Sequence, residues 1–506
     1  MIKYPATIQD RSYSSLLLIL AGSFLLSLLY CPPVDVFFDD KEIFKYTGMV
    51  IAKGGVPYRD FFDHKPPLIF FMNYFGLLLG PWGLWLIDTL LVMIAASMFT
   101  RTCLQYRLPF PWLLPLLFIL LIRNYLVCRG IGMTRSYTAV FLLIFFCILM
   151  GKHRYKYFSL GILSALIFFM QQDQILALLP FLAFALLDHF PSDLWQRSLR
   201  IAAGFVAVTA IILLYFGWHH ALDFFWEDAF VFNFSWYSQK KPFIDLFRTI
   251  RSGLANSSLE MPLILSVTLA IGALLWGSKK KGLIAAALLS VGLSFAPELL
   301  SGRLDGSDSF YYYFLPLSAT LPILVFTVFA FTEATFVRDN KSQALYGFLL
   351  CFLLFYNALQ HGTHLSRHNN DIVKARPEYA FLAQQPLRDY QLYIFGDNNW
   401  VYAYNQFHIL SPSRWIYHHF WVWFDRWDAD NSILRSIEND LLRHHTIYII
   451  DYSALGTYRP ATLASWTTFL HRYYEPVTLP QPTSAASSPA ASGVLWQLRS
   501  NPAPIQ

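Results

Sequence analysis

Residues 14–30 read SSLLLILAGSFLLSLLY, seventeen consecutive positions without a charged side chain. In lipid a backbone must satisfy its own hydrogen bonds, so such a run folds as a helix. A spanning helix needs about 20 mostly apolar residues, and this run approaches that length. It lacks a small-residue cleavage site, and Pro32, Pro33 and an acidic stretch follow it, so it reads as a retained anchor rather than a signal peptide. Working outward, further apolar runs lie near 81–101, 110–127, 136–151, 157–171, 174–189, 201–218, 261–277, 282–300, 314–333 and 343–360. The whole chain of 506 residues agrees: 56% are hydrophobic, 18% aromatic and only 14% charged, with a mean hydropathy of +0.41. A soluble domain carries about 25% charged residues. A soluble fold, an intrinsically disordered chain and a disulfide scaffold are excluded, the last because the five cysteines lie within or at the ends of apolar runs. A net charge of +6 spread over such a chain gives no reason to invoke nucleic acid.

Basic residues in short loops stay on the cytoplasmic side. With Lys3 and Arg11 inside, alternate connections carry Arg101 and Arg107, then Lys152, Arg154 and Lys156, then Arg197 and Arg200, then Lys279–Lys281, and last Arg338 and Lys341. This register predicts about eleven spans, a cytoplasmic N-terminus and an outer C-terminus. The run 66–79 (PPLIFFMNYFGLLL) is too short to cross, and counting it would invert the charge pattern, so it reads as a half-inserted or interfacial segment. The expected fold is a polytopic α-helical membrane domain, 1–360, followed by a small extracytoplasmic α/β domain, 361–506. Beyond 360 the long apolar runs stop. Strand-like stretches at 391–395 (QLYIF), 446–451 (TIYIID) and 493–499 (GVLWQLR) alternate with helix-like ones near 372–385, 430–442 and 460–472. That pattern predicts a partly parallel sheet. Residues 480–492 (PQPTSAASSPAAS) read as a flexible linker. A Walker-type loop is missing, which leaves an ATP-driven mechanism without support.

The segment 31–67 breaks the charge rule. It lies on the outer side, yet holds Lys41, Lys45, Lys53, Arg59, His64 and Lys65 among Asp35, Asp39, Asp40, Glu42, Asp60 and Asp63. An anionic ligand such as a phosphate at the outer surface would account for this. Residues 41–53 predict an amphipathic helix in the interface plane, ended by Gly54-Gly55. Asp39 and Asp40 then stand at its start, where the helix dipole favours an ionised carboxylate. Two readings stand: one aspartate caps the helix, or one serves as a general base. Pro66-Pro67 fix Lys65 outside helical geometry. That lysine either snorkels among headgroups or holds a phosphate as a point charge.

Residues 37–71, FFDDKEIFKYTGMVIAKGGVPYRDFFDHKPPLIFF, closely resemble the first outer loop of bacterial C-type membrane glycosyltransferases. The likeness is to glycosyltransferase family 39, the PMT-like group of protein O-mannosyltransferase and aminoarabinose transferase relatives. It rests on Asp39-Asp40, on Gly54-Gly55-Val56-Pro57-Tyr58-Arg59-Asp60 and on Lys65-Pro66-Pro67-Leu68. The resemblance implies an enzyme of the bacterial inner membrane. A sugar leaves a polyprenyl-phosphate carrier for an acceptor hydroxyl of a glycan, lipid or protein, with inversion. Asp39 would be the base. Asp40, in place of the more usual Glu, would assist or bind a divalent metal ion. Lys65 would neutralise the carrier phosphate, with Arg59 beside it.

Arg303, in the stretch SGRLD ahead of FYYY at 310–313, would add a second cation, and Tyr312 an aromatic face; a plain interfacial Arg/Tyr belt is the other reading. Tyr58, His64 and Arg135 are further candidates for the substrate cavity. Asp173, in Gln171-Gln172-Asp173-Gln174, either faces that cavity or caps the next helix. Relatives often carry Lys-Gln there, and this chain has no lysine. The pairs His219-His220 and His418-His419 lack the partner spacing of a zinc site. The aromatic segment 224–237 (FFWEDAFVFNFSWY) is expected to be an interfacial helix or a cavity wall. The rival function is a transporter or flippase of a lipid-linked sugar, which would gather its polar groups nearer the bilayer midplane; an inactive scaffold is a third reading.

Overall fold

The structure is a computed structural model. It describes residues 6–34, 39–124, 130–188, 193–237, 243–257, 259–294, 311–332, 340–361, 376–396, 401–416, 427–455, 458–479 and 493–500. Most of these are helical. The first nine helices are α1 (Ala6–Ser27), α2 (Asp39–Ala52), α3 (Leu68–Leu78), α4 (Gly83–Gln105), α5 (Leu113–Ile122), α6 (Thr134–Met150), α7 (Lys156–Met170), α8 (Ile175–Leu187) and α9 (Leu194–Trp218). There follow α10 (Leu222–Trp226), α11 (Phe243–Asn256), α12 (Glu260–Trp276), α13 (Lys281–Leu293), α14 (Leu317–Phe331) and α15 (Asn340–His361). Each of the eleven apolar runs carries a helix. Among the described residues, four stretches are long and apolar enough to cross a membrane: Tyr13–Tyr30, Gly83–Gln105, Leu194–Trp218 and Tyr312–Phe331. The other apolar helices are shorter.

The bundle is built around α14. Every residue from Leu317 to Phe329 on it is buried, and it packs against α5, α6, α12 and α13. Helices at the rim turn apolar side chains outward instead, such as Leu17 and Leu25 on α1 and Ile211 and Leu214 on α9. Helices α7 and α9 approach through glycines: a Cβ on Gly161 would stand 2.0 Å from the Ile201 carbonyl oxygen, and one on Gly204 2.1 Å from that of Phe158. Small residues at a crossing let two backbones touch.

The run 66–79 gives α3, of eleven residues, or about 16 Å at 1.5 Å per residue. That is half of a hydrocarbon core. On helix α2 and just past its end the polar positions divide: the Lys45 and Lys53 side chains are 39% and 31% exposed, whereas others are covered. Lys41, Glu42 and Thr47 are buried along with Ile43, Phe44 and Tyr46. The reason is a second cover: α2 packs on α3 on one side and on α17 (Val401–Phe407) on the other. Asn405 Nδ2 donates to the Glu42 carbonyl and carboxylate, both at 2.8 Å.

Beyond α16 (Pro377–Leu382) and α17, the chain forms α18 (Ser432–Arg443), α19 (Pro460–Tyr473) and four strands. These are β1 (Leu392–Phe395), β2 (Tyr448–Asp451), β3 (Tyr474–Pro476) and β4 (Val494–Leu498). The sheet order is β1-β2-β4-β3, with β1 and β2 parallel and the other pairings antiparallel. Residues 480–492 lie outside the described residues.

Candidate active site

The turn after α2 sets the site. Gly54 has φ +89°, and the Gly55 and Gly54 amides donate to the carbonyls of Val50 and Ile51 at 2.9 and 3.0 Å. This is a Schellman end, which reverses the chain without leaving carbonyls bare. Asp60 Oδ2 then accepts from the Val56 amide at 2.6 Å and closes the next turn. Tyr58 sits in that turn at φ +68° and is fully buried against Phe70, Phe216 and Phe225. Its hydroxyl donates to the Lys65 carbonyl at 2.8 Å. Tyr58 thus holds the backbone of Lys65 from below and does not line the cavity.

Lys65 is fixed from three directions. Its amide donates to Asp63 Oδ1 at 3.0 Å, its carbonyl accepts from Tyr58, and Pro66 follows it. Its Nζ lies 3.1 Å from His64 Nε2. An ammonium can only donate, so Nε2 accepts, and the imidazole proton sits on Nδ1, which faces Asp63 Oδ1 at 3.7 Å. His64 is itself anchored, because Asn233 Nδ2 donates to its carbonyl at 2.7 Å. Burial pushes the Asp63 carboxyl up to about 6, against the opposing pull of the Lys65 charge. The Asp40 carboxylate adds to the rise, which brings the start of α2 within electrostatic reach of Asp63.

Around Lys65 opens a small cavity, lined also by His64, Thr134, Arg135, Gln171, Asp173, Asn233, Tyr312 and Tyr313. Arg135 Nη2 donates to Asp173 Oδ2 at 3.2 Å, and its guanidinium stands over the Tyr313 ring at 4.5 Å. Thr134 Oγ1 donates to Gln171 Oε1 at 2.8 Å. Asp173 therefore faces the cavity as the ion-pair partner of Arg135. The arrangement offers two cations, a carboxylate and two tyrosine rings around one space. Such a set can hold a phosphate and a sugar side by side.

The structure therefore brings five of the candidates to one cavity: Lys65, His64, Arg135, Asp173 and Tyr312. Arg59 is a correction. Its guanidinium pairs with Asp60 at 2.8 Å and donates to the His219 carbonyl at 3.3 Å, and it lines a separate cavity with Lys53, Asp60 and Arg414. The turn that drives Tyr58 inward directs Arg59 the other way. Asp39 is the first residue of α2, but its side chain lies outside the described residues, as do Arg303 and His418-His419. Among the described residues, no three His, Cys, Asp or Glu side chains are grouped to hold a metal ion.

Sequence reading missed a second buried carboxylate. Asp228 lies in the 224–237 segment, expected as an interfacial helix or a cavity wall, which leaves α10 for two π-helical turns, Glu227–Val231 and Asn233–Tyr237, and places Asn233 in the wall of the cavity around Lys65. Arg414 Nη2 donates to Asp228 Oδ2 at 2.6 Å, yet burial outweighs that cation and pushes the carboxyl up to about 7. The available signal was one Glu-Asp pair inside an otherwise aromatic run. Asp88 and Arg123, on α4 and at the end of α5, were missed as well; they form a buried ion pair inside the bundle.

No protein-family model and no curated protein matches the sequence. Solved structures do match. ArnT from Cupriavidus metallidurans bound to undecaprenyl phosphate has a TM-score of 0.58 at 10% identity, over 99% of this chain and 100% of that chain. The same protein in the apo state gives 0.53 at 11% identity, over 96% and 98%. The chain shares their fold. The likeness is one of fold, and it runs from one end of the chain to the other.

Proposed function

We propose that this chain is a membrane glycosyltransferase that moves a sugar from a polyprenyl-phosphate carrier to an acceptor hydroxyl, at the outer face of the membrane and with inversion. The observation that carries the reading is the meeting of Lys65, Arg135 and Asp173, from three distant parts of the chain, beside Tyr312 and Tyr313. One structure with the same fold was crystallised with undecaprenyl phosphate, a carrier of the class proposed.

In this reading Asp39 takes the proton of the acceptor hydroxyl, with Asp40 beside it. The acceptor oxygen attacks the anomeric carbon, and the bond from that carbon to the phosphate oxygen breaks. Polyprenyl phosphate departs with the electron pair, and Lys65 meets the charge that develops on it, aided by Arg135 and Arg303. An activated phosphate leaving group needs cationic stabilisation rather than a strong acid. His64 accepts from the Lys65 ammonium and holds it in place.

The test uses the full chain in membrane vesicles, supplied with a labelled polyprenyl-phosphate sugar. Asp39→Asn should lower transfer by about a hundred- to ten-thousand-fold, the range for loss of a general base. Lys65→Met should cost about a hundred- to a thousand-fold, as for loss of a charge-stabilising donor. Both variants should keep the wild-type unfolding temperature. Normal turnover in Asp39→Asn would remove the base from this scheme, and carrier movement without labelled product would replace the transferase by a transporter.

A further inference from the structure

At the far end of α6 and α7 from Lys65 lies a second, larger cavity, open to one side. Helix α6 begins at Thr134 in the first cavity and ends at Met150 in this one. Its seventeen residues put about 25 Å between them. The two sites are on opposite sides of the bundle.

Among the described residues that line this cavity the charge is unbalanced: Lys152, Lys156, Arg197 and Lys280 stand against Asp188, four positive charges less one negative, or +3. Asp188 is already engaged, accepting from Lys280 Nζ at 2.8 Å. Arg197 is the informative member. Its side chain is only 8% exposed, and its carboxylate partner among the described residues, the exposed Asp193, is 3.9 Å away. Its guanidinium otherwise stands over the Tyr157 ring at 5.4 Å. Burial of Lys156 lowers its pKa, Arg197 pushes it the same way, and Asp188 opposes both. A general excess of basic residues on the inner side explains exposed ones such as Arg154 and Arg200. It does not explain an arginine side chain so largely buried with so little described negative charge beside it. The remaining wall is apolar, with Met150, Phe184, Leu283 and Phe331.

We infer that this cavity binds the phosphate headgroup of an anionic membrane lipid, with Arg197 and Lys156 on the phosphate and the apolar wall against the start of the acyl chains. Basic pockets between helices on the inner side of a membrane take such headgroups. A free phosphate ion would share the polar half of the site but not the wall.

The test is native mass spectrometry of the full chain released from nanodiscs, with phosphatidylglycerol, phosphatidylcholine or inorganic phosphate offered in competition. The wild type should retain one phosphatidylglycerol in preference to phosphatidylcholine. Arg197→Gln with Lys156→Gln should weaken that retention about 30-fold, which is about 1 kcal/mol for each basic residue lost. Arg197→Lys should keep most of it and guards against a variant that fails to fold. Arg154→Gln with Arg200→Gln removes the same charge nearby and should change little. Equal loss in this control pair, or no headgroup preference in the wild type, overturns the site. Equal occupancy by inorganic phosphate overturns the lipid as its occupant.

Discussion

Asp63 is the residue on which the geometry around Lys65 turns. It accepts from the Lys65 amide and faces the His64 ring. Its carboxyl is raised from 3.8 to about 6, so the folded protein holds this proton more tightly than the unfolded chain does. Stability from this group is present at acidic pH and is lost as pH rises through about 6. Asparagine at this position can still accept from the Lys65 amide and carries no charge. Asp63→Asn should therefore gain stability relative to wild type as pH climbs from about 4 to about 6, read as the difference in unfolding temperature between the two proteins. A constant difference across that range would mean that Asp63 is ionised throughout. Lys65 was legible in the sequence because Pro66-Pro67 restrict the backbone locally. The burial of Asp63 was not, because the rings that cover this turn, Phe232 and Trp427 against Phe62, come from far along the chain.

At the scale of elements, most helices follow from apolar runs alone, since lipid leaves a backbone few other choices. Their contacts do not follow so simply. Glycines at 161 and 204 look unremarkable within their runs, yet each backbone seats the other helix. A large side chain at either place would drive α7 and α9 apart. Gly204→Leu should therefore lower the unfolding temperature far more than Gly292→Leu, where a Cβ would meet nothing within 4 Å. Thermal unfolding in detergent checks this pair, and equal effects would show that the close crossing is dispensable. Helix α2 shows the opposite limit of sequence reading. Its apolar and polar positions suggest a half-wet helix, and only the arrival of α17, whose Asn405 binds Glu42, explains why Glu42 is buried. Periodicity tells which side of a helix is apolar, but it does not reveal a second partner that covers the polar side.

At the scale of the whole molecule, three of the four described strands beyond residue 390 were readable because each is a short local signal; β3 was not, being only three residues long, ending in Pro476 and defined by its pairing with β4. How that part of the chain meets the rest was not readable, because the contacts join residues hundreds of positions apart. Phe62 donates its amide to the Arg414 carbonyl at 2.8 Å, and Lys53 Nζ pairs with Asp389 at 2.5 Å. The deepest tie is Arg414 to Asp228, with the carboxylate 1% exposed. Removing one partner of a buried ion pair leaves the other charge unbalanced, at a cost of about 3–5 kcal/mol. Arg414→Ala should therefore destabilise strongly, and in a pH-dependent way. Arg414 lowers the Asp228 pKa against burial, so its loss carries that pKa above the present value of about 7. The Asp228 proton is then retained in the folded variant, while unfolding releases it. The deficit should be small near pH 5, where Asp228 is neutral in both proteins, and should widen as pH rises past 7. Asp228→Asn placed on Arg414→Ala removes the charge altogether and should restore most of the stability at pH 8. Limited proteolysis and thermal unfolding at the two pH values measure this. If the double variant is no more stable than Arg414→Ala at the higher pH, the pair is not what seats the C-terminal part on the turn that carries Lys65.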